Sequence, residues 1–198
     1  MAYLDETYSL EAGRRRFYVM AAVVVLPTDL DPLRNELDNL VPDGWWHTTE
    51  VLQAADGRTR TRELLRTFRT PDETCIVVDK VAVADHDKEG FQAREAVLRR
   101  LLTVLHTPEG GVHPPVRLVI TEEQREARKN NWDRSVRKAL IEDQAIGADM
   151  NMVHASPGSE HLLWLPDLVC SAYRQKALHQ RGDLFNEIED LTRVIELP

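Results

Sequence analysis

Acidic side chains at the ends of apolar runs are the first residues of this chain that could do chemistry. Asp5 and Glu6 follow Ala2-Tyr3-Leu4, and Glu122 and Glu123 follow the run from Val116 to Thr121. Asp167 follows Pro166 and precedes Leu168-Val169-Cys170. Each has an ordinary explanation when taken alone. Asp5 and Glu6 belong to a loop if the first strand stops at Leu4, and the others suit a first helical turn, where the helix dipole favours negative charge. Taken together they suggest more. Strand C-terminal ends in an α/β sheet share one edge, where ligands usually bind. Carboxylates converging there repel unless a cation neutralises them or some take a proton. An oxygen-only cluster selects hard Mg²⁺ or Mn²⁺. Two such ions about 3.5–4 Å apart suit in-line attack on a phosphodiester.

Trp45-Trp46-His47-Thr48-Thr49-Glu50 is the second unusual stretch. One reading is a packed aromatic lid carrying a surface histidine. The other makes Glu50 a fourth carboxylate and His47 a proton-transfer or substrate-contacting group, since histidine titrates near neutral pH. His161, near Asp167 in sequence, could approach the same site. The remaining histidines show no ligand spacing.

A third feature is basic. Residues 124–140 carry a net +4, and Arg125, Arg128, Lys129 and Trp132 recur at three- and four-residue spacing. Such a face could hold a phosphate backbone and stack a base, or could be a solvated helix surface with Trp132 packed inward. Arg14-Arg15-Arg16 and Arg58, Arg60, Arg62, Arg66 and Arg69 are further basic clusters.

The elements that would position these groups follow from the hydrophobic pattern. Ala2 to Asp5 suggests a strand, residues 7–13 a turn, and Phe17 to Leu26 an antiparallel partner buried on both faces. Asp29 to Leu40 places Leu30, Leu33, Leu37 and Leu40 at helical spacing, and Pro42-Asp43-Gly44 ends it. A helix over 59–68, a turn at Pro71-Asp72, a strand over 74–85 and a helix over 89–106 follow. A loop over 108–115, a strand over 116–121, and a helix over 123–145 with a break near Asn130-Asn131 come next. A short strand over 150–155 and a helix over 162–180 complete the order. This predicts an α/β fold: a mixed sheet of about five strands with an antiparallel hairpin edge and helices on both faces. One domain is expected over 1–181, with 182–198, of net charge −4, as an acidic tail or terminal helix.

Several of these residues resemble a known family. Tyr3-Leu4-Asp5-Glu6-Thr7, the strand after it, His47-Thr48-Thr49-Glu50, and the stretch from Leu165 to Arg174 look like the family called domain of unknown function 3800. Its members begin with an Asp-Glu-Ser-Gly strand end and close with a helix carrying Ala-Asp before apolar and small residues. The resemblance spans residues 2 to about 180. It implies a ribonuclease H-like fold with an acidic metal site. By position, Asp5 would be the first-strand carboxylate, Glu122 the fourth-strand one and Asp167 the last-helix one, with Glu50 and Glu6 completing the set. The departures are Thr7-Tyr8 for Ser-Gly, Pro166 for the small residue, and Thr121-Glu122 where an aspartate is usual.

These features lead to a metal-dependent nuclease or phosphodiesterase using Mg²⁺ or Mn²⁺. The alternative is a degenerate binding or assembly module on the same fold, which Glu122 and the acidic total favour. A regulatory partner acting through the basic helix is a third idea. The net charge of −8 over 198 residues excludes a protein that coats nucleic acid through bulk charge, while leaving room for a local groove. The ten-residue apolar run at Phe17–Leu26 is too short to span a membrane. Acids precede it and no small-x-small cleavage pattern follows, so a strand explains it better than a signal peptide. Cys75 and Cys170 show no zinc spacing and read as reduced core thiols of a cytoplasmic protein.

Overall fold

The chain is seen here as a computed structural model that describes residues 1–42, 44–68, 74–108 and 113–198. The expected turn at Pro71-Asp72, Arg69, Asp43 and the middle of the 108–115 loop lie outside the described residues.

Six strands form one mixed sheet: β1 (Ala2–Ser9), β2 (Phe17–Val24), β3 (Thr74–Val81), β4 (Leu118–Glu122), β5 (Asn151–Ala155) and β6 (Thr192–Leu197). Their order is β5-β4-β1-β2-β3-β6. β2 pairs antiparallel with β1 and β3, and every other pairing is parallel. Five strands therefore point their C-terminal ends to one side, and β2 alone runs back.

Two expectations need correction. The hairpin is central, because β1 also pairs with β4 and β2 with β3. Residues 182–198 are neither a tail nor a helix. They make two short 3-10 turns and then β6, whose residues Val194 and Ile195 stand beside Val77 and Val78 of β3. The acids before β6 serve the same docking. Asp183 pairs with Arg58 and Arg62, and Glu187 with Arg62 and Arg66. The basic cluster at 58–66 is thus largely engaged by the chain itself.

Helices cover both faces of the sheet. On one lie α1 (Leu30–Leu40), α3 (Gly57–Thr67) and α6 (Trp164–His179), packed on Tyr3, Val19, Ala21, Val23, Cys75 and Val77. On the other lie α4 (Phe91–His106) and α5 (Ala127–Glu142), packed on Leu4, Met20, Ala22, Ile76 and Val78. The alternation of strand side chains explains this division. β2 is buried at every position, as its continuous apolar run requires. The four-residue α2 (Thr48–Val51) lies between α1 and α3. Both cysteines are buried, and neither is in a disulfide. Among the described residues no helix is long and apolar enough to cross a membrane.

The helix expected from Glu123 starts only at Ala127, and no break occurs at Asn130. Asn130 is buried within α5, and its carboxamide accepts from the Gln124 backbone N–H at 2.9 Å and donates to the Gln124 carbonyl at 3.2 Å. These two bonds hold residues 124–126 in a bent approach to the helix.

A buried charged network ties β1 to α4, α5 and β5. Arg94 on α4 is 1% exposed and donates to both oxygens of Asp133 at 2.7 Å each. Its other branch donates to the Glu6 carboxylate and to the Tyr18 hydroxyl. His154 reaches Asp133 at 3.1 Å. Removing the arginine strands two buried carboxylates. Arg94→Leu should therefore cost about 3–5 kcal/mol in denaturant unfolding. A loss below about 1 kcal/mol would show that the network is not holding the sheet to its helices.

Candidate functional site

Asp5 lies inside β1 rather than beyond it, because β1 runs on to Ser9 against β2. On its other side β1 loses its partner sooner. The parallel register with β4 ends at Leu4 beside Thr121. Asp5 and Glu122 are the next positions on the two strands, so their side chains leave the sheet together. Both project to the face covered by α6, where Asp167 sits in the first turn. The strand–strand register and one helix start thus bring three distant residues to one place.

The electrostatics follow from this convergence. Asp5 is 7% exposed. Its carboxyl is pushed well above the usual carboxylate range by burial first, then by repulsion from Asp167, Glu122 and Glu6. Glu122 is also raised, by burial and by Glu6 and Asp167, while a hydrogen bond with Asp5 and the nearby His47 act in the opposite sense. A hydrogen bond between two carboxyl groups needs a proton on one of them. Asp167 is raised by burial too, opposed by the Thr48 backbone N–H, which donates to it at 2.8 Å, and by the hydroxyls of Thr48 and Ser171. Among the described residues none of these three carboxylates has an ion-pair partner.

The Trp45–Glu50 segment divides its work. Trp46 is buried, and its indole N–H donates to the Thr48 hydroxyl at 2.8 Å. Thr48 in turn orients Asp167. Thr48 and Ser171 were not singled out from the sequence. Ser171 lies four residues after Asp167 on α6, a spacing that could have revealed it; Thr48 stood within the unusual Trp45–Glu50 stretch but was given no role of its own. His47 and Glu50 are exposed. With Asp5, Glu122 and Asp167 they line a cavity of about 370 Å³, whose rim includes Trp45, Arg125 and Lys129. A recess of about 270 Å³ opens off the same carboxylates toward Thr7, Thr49 and Ser171.

Other expected residues are engaged elsewhere. Glu6 borders the recess, but its carboxylate is held by Arg94 and by the Tyr18 hydroxyl. Alternation along β1 sends it to the face opposite Asp5. His161 stacks on Trp164 at 4.3 Å and bonds Asp38 at 2.5 Å. The basic face also divides. Arg125 precedes α5 and reaches the cavity rim. Arg128 pairs with Glu89 and lies 4.6 Å from the Phe91 ring, and Trp132 meets the same ring edge-on at 5.3 Å. Those two side chains therefore brace α5 against the start of α4.

The donor chemistry of Asp5, Glu122 and Asp167, all oxygen and with no cation paired to them, fits a hard divalent ion. In their present orientation, no group of three His, Cys, Asp or Glu side chains among the described residues is arranged to hold one. Asp5 and Glu122 instead stand side by side as the next positions beyond the β1–β4 register. No protein-family model matches the chain, and no curated protein matches it.

Burial and repulsion predict a pH signature in the metal-free protein. The raised value of Asp5 means that its stabilising contribution is complete below the ordinary carboxylate range and is lost as pH climbs through the raised value. Asn keeps the neutral shape at every pH. Asp5→Asn should therefore melt higher than the unmodified protein at about pH 8 in chelator, with the gap closing toward about pH 4. In a chain of this size 1 kcal/mol corresponds to about 2–4 °C. A gap that stays constant with pH would contradict the assignment.

Proposed function

We propose that the protein is a metal-dependent nuclease or phosphodiesterase of the ribonuclease H-like type, akin to the domain of unknown function 3800 family. The observation that carries this reading is the gathering of Asp5, Glu122 and Asp167 at one sheet edge without a compensating cation among the described residues. The mixed sheet covered on both faces supports it as well.

Asp5, Glu122 and Asp167 would hold Mg²⁺ or Mn²⁺, with Glu50 available from the rim. When bound, such ions neutralise phosphoryl oxygens and lower the pKa of water. The chain's own residues do the rest. Thr48 and Ser171 keep Asp167 in place, and the β1–β4 register keeps Asp5 beside Glu122. His47, exposed at the mouth, accepts a proton from the attacking water. The new bond joins water oxygen to phosphorus, the bond from phosphorus to the leaving oxygen breaks, and that oxygen takes a proton from solvent. The products are a phosphomonoester and an alcohol.

A second reading is a binding module with a degenerate site. It is favoured by the adjacency of Asp5 and Glu122, where a proton shared by the two carboxyls would take the place of a cation, and by the longer arm of Glu122.

Labelled DNA, RNA and hybrid oligonucleotides incubated with Mg²⁺ or Mn²⁺ separate the two. The nuclease reading expects metal-dependent cleavage that Asp5→Asn lowers by about 100-fold or more, the scale of losing one electrostatic contact to a transition state. His47→Ala should lower it by about 100-fold as well, the lower end of general-base contributions. Absence of cleavage with either metal on every substrate would favour the degenerate module.

A further inference from the structure

The rim of the cavity carries two side chains that the fold itself leaves unused. Trp45 is 54% exposed although it is the bulkiest kind of apolar residue, and among the described residues no ring or cation contact engages it. Its neighbour Trp46 is buried, with Arg60 5.7 Å from its ring. Arg125 is exposed and has no hydrogen bond or ion pair among the described residues. Among the described residues the side chains of Arg15, Arg60 and Arg181 show none either, but those three do not line this cavity. Arg14, Arg16, Arg34, Arg58, Arg62, Arg66, Arg94 and Arg128 all pair with acids. Both free groups line the cavity that has the carboxylates at its floor. A second cation, Lys129, lies close by, 5.3 Å from the Tyr8 ring and 3.5 Å from Glu126.

An exposed indole and a free guanidinium lining one cavity with an acidic floor match one chemical unit: a flat base, its phosphate, and the next phosphodiester along the strand. Base–aromatic stacking tolerates any sequence, because every base has a π-face. A base inside a duplex has both faces covered by its neighbours, so it can lie on Trp45 only after leaving the stack. Room points the same way, because about 370 Å³ lies near the lower bound for small-molecule sites. Charge does too. A duplex is held through many phosphate contacts, and the basic clusters at 14–16 and 58–66 are largely paired internally.

We propose that this cavity selects an unpaired segment of nucleic acid, with one base on Trp45, its phosphate on Arg125 and the following phosphodiester over Asp5, Glu122 and Asp167. This rests on the nuclease reading of the carboxylates and names the substrate class they act on. Trp45 is then the residue that separates single strands from duplexes.

The test uses the full chain carrying Asp5→Asn, so that binding is read without turnover. Fluorescein-labelled single-stranded DNA, single-stranded RNA and blunt duplexes of the same sequence are titrated with it by anisotropy. At least one single strand should bind about tenfold or more tightly than its duplex, and the DNA and RNA arms show which sugar is accepted. Adding Trp45→Ala should weaken single-strand binding by about 5- to 100-fold, the range of lost base–aromatic stacking. Trp45→Phe should restore part of it. Melting temperatures should not move, since Trp45 is outside the core. Equal affinity for duplex and single strand, no binding of either single strand, or indifference to Trp45→Ala would each overturn the proposal. The two readings fail separately. Trp45-dependent single-strand binding by a protein that cleaves nothing would sustain this inference and remove the nuclease. Equal cleavage of duplex and single strand by the unmodified chain would do the reverse.

Discussion

Three carboxylates brought to one buried sheet edge cannot all keep their charges in the absence of a partner. This constraint governs the region around Asp5. The register of β1 against β4 puts Asp5 and Glu122 side by side, and the first turn of α6 adds Asp167. Burial and mutual repulsion drive the Asp5 carboxyl toward its neutral form. Uptake of a proton within the cluster is one way to relieve that repulsion. A divalent cation is the other way to resolve the same repulsion, and the donor chemistry of the cluster suits it.

The fold resolves its acids differently on its two faces. Asp5 and Glu6 are adjacent, and strand alternation sends them apart. Glu6 meets Arg94, which Asp133 and Tyr18 also hold, so that carboxylate is neutralised inside the protein. Asp5 meets no such partner among the described residues. A site where charge is left uncompensated, next to one where it is carefully paired, is a physical asymmetry that points to a ligand on the Asp5 side. The segment from Trp45 to Glu50 shows the same division on a smaller scale. Trp46 and Thr48 turn inward to fix Asp167, while Trp45, His47 and Glu50 face the cavity.

Much of the fold was legible in the sequence because its signals are local. The apolar run after Arg16 reads as a buried strand and residues 89–106 read as a helix; the structure has a buried strand over Phe17–Val24 and a helix over Phe91–His106 that buries Val97, Leu98, Leu101, Leu102 and Leu105. The central place of the hairpin was not legible, since strand order depends on pairings far apart in the chain. The last strand was hidden by its own composition. Acids around Val194 and Ile195 suggest a solvated tail until Arg58, Arg62 and Arg66 are seen to receive Asp183 and Glu187. In the site, the meeting of Asp5, Glu122 and Asp167 was anticipated from apparent element ends, although Asp5 lies inside β1, where only the pairing with β4 has stopped. The roles of Arg128 and Trp132 were not, because the Phe91 ring and Glu89 that engage them come from another helix. Thr48 was missed for a similar reason: its partner, Asp167, lies 119 residues away.

The most direct test of the carboxylate cluster as a cation site is calorimetric titration of the full protein with Mg²⁺ and Mn²⁺ near neutral pH, in two buffers of different ionisation heat. Metal ligands must be deprotonated, so a cation entering here competes with protons for Asp5, whose carboxyl is raised by burial and by its acidic neighbours. Saturable uptake with a buffer-dependent heat that reports proton release is expected, lost in the Asp5→Asn protein. Absence of uptake at millimolar metal, or uptake unchanged by Asp5→Asn, would contradict it.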